Sequence, residues 1–296
     1  MRNWILSLFD QQTVAKSTRT FIRCVYGWFA CFFIFYFSDI SSIWGSDSAL
    51  IRYSAPDTPT NNFVYVLMYQ LQWFWPIAAI HLTSIFMVVF QIWKQPLLRF
   101  VVWITGVLLY FSAIPAMNSG YLFMLLLAFY VIPFQLKPKK ELDYFINRVV
   151  LFTCMLQLYF VYVFSALFKV TSMQWLSGDA LYYTFLNDRF SPTFLKSMAY
   201  YMPFGIIIFL AYFIMIFQLF FPFWSQWKRT RKAAIWIGIL MHLWIAFVMH
   251  LWDFAFAMLI PYYLFVRKED QNTVEDLPLP RIVSETYDYH GNTTSV

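Results

Sequence analysis

Apolar residues fall in long blocks separated by short polar stretches. A helix that crosses a bilayer needs about 20 mostly apolar residues. The pattern predicts eight such helices: Thr20–Phe37, Trp73–Trp93, Leu98–Ala113, Gly120–Gln135, Asn147–Phe168, Met202–Phe223, Ala233–His250 and Phe254–Val266. The third, fourth and last are short, and their ends are soft by several residues. Pro115 and Asn118 divide Leu98–Gln135 into two helices, with re-entrant pieces as the alternative. The predicted fold is therefore an all-α, multi-pass integral membrane protein.

The stretches between the blocks give an orientation. With the N-terminus cytosolic, the inner segments hold 17 of the 21 Lys and Arg residues, and the outer ones hold only Arg52, Lys169, Arg189 and Lys196. Lys and Arg are retained on the cytosolic side of short loops, so both ends are expected in the cytosol. The domain reading is an interfacial segment over 1–19, a transmembrane domain over 20–266 and a flexible polar tail over 267–296. Of the two long outer loops, Ser38–Gln72 reads as irregular, with Pro56, Pro59 and Asn61-Asn62. The other, Lys169–Tyr201, reads as more ordered. The Asn292-Thr293-Thr294 sequon lies on the wrong side for glycosylation in this topology.

Composition narrows the class further. Charged residues make up 12% of the 296, where a soluble domain carries roughly 25%. The net charge of +6 is spread over loops and forms no face for nucleic acid. Cys24, Cys31 and Cys154 lie inside apolar blocks without metal-ligand spacing and read as small buried hydrophobes. The Trp4–Phe9 run is too short for a cleaved signal. A bacterial cytoplasmic membrane is the expected location.

Ionisable residues at membrane depth are costly and point to function. His81 lies eight residues into its block, roughly 12 Å deep. His242 is at a similar depth, and on a continuing helix Asp253 would lie about 20° from it around the axis. With His250 and Lys169 these residues suggest a polar cavity open to the outer side. Histidine suits proton shuttling, and a desolvated lysine can serve as a base. Arg23, one turn inside the first block, reads as snorkelling to the headgroups. There is no Walker loop, HExxH or GxSxG; no metal is expected, although His81, His242, His250 and Asp253 could form a ligand set.

One stretch carries a resemblance. Gln157–Lys169 followed by Trp175, Gly178 and Ala180-Leu181-Tyr182-Tyr183 resembles the signature of the HTTM family, the membrane domain shared with vitamin K-dependent gamma-carboxylase. Arg23 and Gly27, the Met117–Gly120 turn, and His242 with Phe254 and Met258-Leu259 agree in order and spacing, so the likeness spans roughly residues 10–266. The resemblance implies Lys169 as a catalytic base, His242 as its assistant and a quinol as a possible cofactor. It also implies Arg23, Gly27, Trp175, Gly178 and Tyr182 as structural positions. Two departures stand out: a single lysine replaces a pair, and the large soluble substrate-binding region is missing. The short form is more similar to a bacterial branch in which some members assist maturation of secreted peptide toxins, as in the sporulation-delaying system.

Two function classes follow. The first is a membrane-embedded enzyme or maturation factor acting on a lipid-soluble quinol or hydrophobic peptide, with a small secreted peptide or companion maturation protein as partner. The second is a non-catalytic scaffold, immunity or export component. A transporter would need broken midplane helices and repeat symmetry, which the sequence lacks.

Overall fold

The computed structural model describes residues 11–44, 73–93, 95–114, 117–188 and 191–266. The 292–294 sequon, the tail and most of the first outer loop lie outside these residues. Among the described residues the chain is all helical: α1 (Gln11–Phe35), α2 (Ile40–Trp44), α3 (Phe74–Val89), α4 (Gln95–Ser112), α5 (Ser119–Tyr130), α6 (Glu141–Val170), α7 (Met173–Leu176), α8 (Ala180–Leu186), α9 (Thr193–Tyr201), α10 (Phe204–Gln226), α11 (Arg231–Met249), α12 (Trp252–Leu259) and α13 (Tyr263–Val266). Helices α4, α6, α10 and α11 are long and apolar enough to cross a membrane. Helices α3 and α5 and the Trp252–Phe265 run are apolar but shorter.

Seven of the predicted blocks each overlap one helix, the eighth is divided by a 3-10 turn at Ile260–Tyr262 into α12 and α13, and the local chemistry explains the ends. Pro96 stands near the start of α4, where its missing N–H costs nothing. The Asn118 side chain caps α5 by accepting from the Gly120 and Tyr121 amides. Glu141 and Asp143 open α6 and Lys169 closes it, each complementing the helix dipole. Within the described residues α1 already runs through Gln11–Arg19, part of the segment expected to be interfacial, because no Gly or Pro interrupts Gln11–Tyr26. Helix α11 stops at His250, which is left-handed at φ 54°. His242 and Asp253 are therefore not on one continuous helix, and the sequence-based angle between them does not apply.

The helices pack as two groups. In one, α3 lies against α1 and α4, and α4 against α5; in the other, α10 lies against both α6 and α11. Helix α12 touches α1, α5 and α11 and joins the two groups. Helices α8 and α9 pack on each other, burying Leu181, Phe185, Leu195 and Ala199 with Ile207 and Ala211 of α10. Close approach rests on glycine at two of the contacts. A Cβ on Gly120 would come within 2.7 Å of the Phe254 Cα, and one on Gly238 would collide with the Tyr262 ring. Of the cysteines only Cys154 is buried; Cys24 and Cys31 face outward from α1, contrary to the core reading.

Three arginines close helix C-termini, where carbonyls lack intrahelical donors. The Arg23 Nε donates to the Val89 carbonyl at the end of α3 (3.1 Å). Arg99 Nη1 donates to the Val131 (3.2 Å) and Phe134 (2.5 Å) carbonyls beyond α5. Arg231 donates to the Ser225 and Gln226 carbonyls at the end of α10, both at 3.0 Å. The dipole contacts offset part of the cost of burying Arg99 and Arg231.

Candidate functional site

Lys169 sits in the last turn of α6, half-buried against α10. Its Nζ donates to Ser165 Oγ (2.6 Å), to the Ser165 carbonyl (3.4 Å) and to Gln218 Oε1 (3.0 Å). The Trp175 ring lies 5.0 Å away, close enough for a cation–π contact. Trp175 belongs to α7, which ends in the turn through Gly178 (φ 85°). A Cβ there would be both in a disfavoured conformation and within 2.8 Å of Ile208. Pro222 cannot donate to the Gln218 carbonyl four residues before it, which loosens α10 at the residue that meets Lys169.

His242 is buried two turns away on the scale of α6. Its Nε2 lies 2.7 Å from the Tyr162 hydroxyl, which lies 2.5 Å from the Tyr262 hydroxyl. All three side chains are at most 2% exposed. The His242 Nδ1 meets no hydrogen-bond partner among the described residues. Phe254 stands beside the ring (6.2 Å between centroids), and Phe217 and Phe221 flank Tyr162. Tyr162 precedes Lys169 by seven residues, about 10 Å along the helix, so the histidine and the lysine keep separate partners.

His81 is fully buried in the other group, between the Phe29 and Phe33 rings. Its Nδ1 is 2.7 Å from Thr105 Oγ1, and its Nε2 has no partner among the described residues. Asp253, also buried, opens α12. Its carboxylate accepts from the Asn118 amide and hydrogen-bonds the Tyr36 side chain, while Trp28 Nε1 donates to its backbone carbonyl (3.0 Å). These contacts tie α1, α5 and α12 together at the joint between the two groups.

The predicted residues thus form several local clusters. Lys169, Trp175 and Gly178 come together, and Asp253 meets the Asn118 turn. His81, His242 and Lys169 do not share hydrogen bonds. His250 is exposed at the turn, with its ring 6.3 Å from that of Trp252. Tyr182 packs against Phe204 (6.0 Å). A Cβ on Gly27 would meet nothing within 4 Å, so no close approach demands glycine there. Among the described residues, no three His, Cys, Asp or Glu side chains are grouped to hold a metal ion.

Sequence reasoning missed Tyr162, Tyr262, Ser165, Gln218 and Thr105. A search for ionisable groups passes over hydroxyls and amides. Yet Gln218 and Thr105 each interrupt a long apolar run, which marks them as polar residues needing a partner at depth. No family model, curated protein or solved structure matches the chain.

Proposed function

We propose that this protein is a multi-pass membrane protein of the HTTM type that performs proton-transfer chemistry on a lipid-soluble quinol or hydrophobic peptide. Lys169 is the base and His242 the assisting group. The observation that carries this reading is the half-buried lysine beside an indole ring; separately, the same helix group holds a buried imidazole with one ring nitrogen unpartnered among the described residues. In this reading the eight apolar blocks are eight crossings of a bacterial cytoplasmic membrane, with both ends cytosolic. The arginine caps support that orientation: Val89, Val131 and Gln226 all close helices that run toward the expected cytosolic side.

One observation favours the scaffold, immunity or export alternative. An ammonium has three N–H donors, and the Lys169 amine has three acceptors within reach, as a lysine tying α6 to α10 would. Lys169→Met and His242→Ala separate the two readings, each scored for expression, melting temperature and the phenotype that the gene supports. The enzyme reading expects both variants to fold and to lose function. Folded variants with full function would leave the scaffold reading in its place.

A further inference from the structure

The three hydrogen atoms of the Tyr262–Tyr162–His242 chain can be counted. Each phenol has one hydrogen to donate, and a neutral imidazole has one as well. If His242 donated from Nε2 to Tyr162, Tyr162 would donate to Tyr262, and the Tyr262 hydrogen would have no acceptor among the described residues. The opposite wiring uses both phenolic hydrogens: Tyr262 donates to Tyr162, and Tyr162 donates to His242 Nε2. The imidazole hydrogen then sits on Nδ1, the atom without a partner.

We infer that Tyr162 and Tyr262 are positioning residues that hold His242 as the Nδ1–H tautomer, and that this N–H is the donor for a carbonyl oxygen of an apolar ligand. The inference rests on the reading of His242 as a substrate-contacting group and names what it contacts. A donor left unpaired in an apolar site is costly, so the site is poised for an acceptor. The surrounding rings belong to Phe254, Tyr162 and Tyr262. Such walls admit an apolar body and an uncharged oxygen more readily than an anion, whose desolvation they do not repay. Gly238 is part of the device, because a side chain there would push Tyr262 away from Tyr162.

The test is nitrogen NMR on histidine-labelled protein in lipid nanodiscs, in a His250→Gln/His290→Gln background that leaves His81 and His242. The His81 signal is assigned from His81→Gln. The expected result is a proton on Nδ1 of His242 and a hydrogen-bonded, unprotonated Nε2. Tyr162→Phe should give a mixture of both tautomers, and Tyr262→Phe should raise the Nε2–H fraction above that of the unaltered chain, because Tyr162 then has no donor from Tyr262 to oppose one from His242. Two carbonyl probes are then added, benzophenone and N-acetyl-leucyl-leucine methyl ester, to distinguish a small ketone from a peptide bond. One of them should move the Nδ1-bound proton downfield, and should bind Tyr162→Phe about tenfold more weakly.

A proton on Nε2 in the unaltered chain would overturn the wiring. An Nδ1–H signal unmoved by either probe at saturation would overturn the ligand class. The measurement needs no activity, so a wrong tautomer alongside loss of function in His242→Ala would condemn the wiring and leave the proposed function standing.

Discussion

Each helix group buries one histidine against a hydroxyl, but the two histidines are left with opposite polarity. Thr105 already gives its hydrogen to the Val101 carbonyl (2.6 Å), so it can only accept from His81 Nδ1. His81 is left with a bare, buried Nε2. Tyr162 receives the Tyr262 hydrogen and gives its own to His242, which is left with a buried N–H. One residue type therefore presents an acceptor on one side of α12 and a donor on the other. The difference lies in where the neighbouring hydroxyl spends its hydrogen, and not in the depth or burial of the ring. A threonine on a helix is bound to its own backbone, whereas a phenol held away from its backbone is free to wire two elements together.

The largest test of this contrast is steric. The Gly238 Cβ would overlap the Tyr262 hydroxyl and come within 2.6 Å of its Cζ. Tyr262 cannot easily move, being packed by Phe221 and Phe265 and bonded to Tyr162. The Gly106 Cβ would meet Leu125 Cδ2 at 2.9 Å and His81 Cε1 at 3.3 Å. The leucine methyl is the end of a flexible side chain and can give way. Gly238→Ala should cost about 3 kcal/mol and Gly106→Ala about 1 kcal/mol, read as melting temperature in detergent. Equal losses would mean that the two histidine environments are equally rigid.

The next effect is chemical. Thr105→Val removes the side-chain partner of His81 Nδ1 and leaves the ring only the Val102 carbonyl, and should cost about 1 kcal/mol. Replacing both partners, as in His81→Leu/Thr105→Val, should recover most of the loss, because an apolar pair leaves no polar atom stranded. The thermal-shift comparison of the single and double variants decides whether Thr105 is the main partner of His81. If the double variant is worse than the single, His81 Nε2 contacts something essential, and the two histidines are more alike than the hydroxyl argument allows.

How much of this was legible in the sequence depends on the distance over which each feature acts. Helices were legible because each block is apolar along its own length, and caps such as Asn118 act within three residues. The interior place of His81 and His242 was legible because each stands within an apolar block, and both are buried. Contact was not. Tyr162 reaches His242 across 80 positions and Tyr262 across 100, and no local pattern reports which faces meet. Among the described residues His81, His242 and Lys169 each keep partners of their own, and no local pattern reports which residues those are. His250 looked internal because it ends an apolar block, yet it is the exposed left-handed residue at which α11 stops.

The smallest expected effect gives the floor against which the histidine differences are read. Asp188, after α8, pairs with Lys196 on α9, and neither residue bonds to His81 or His242. The hydrogen bond and charge of Lys196 hold the Asp188 carboxyl below its ordinary value. The folded chain thus binds that proton less readily than the unfolded chain. What the pair contributes is complete above the usual carboxylate range, near 4, and fades as the pH falls through and below it. Because the carboxylate is almost fully exposed, solvent screens the attraction and little stability depends on it. Asp188→Asn should leave the melting temperature at pH 7 unchanged within error. It should also flatten only a faint part of the fall between pH 5 and pH 3. A clear drop at pH 7 would show that the α8–α9 contact is held by charge more than by its buried apolar face. In that case shifts of the size expected for Gly106→Ala could no longer be assigned to the histidine environments alone.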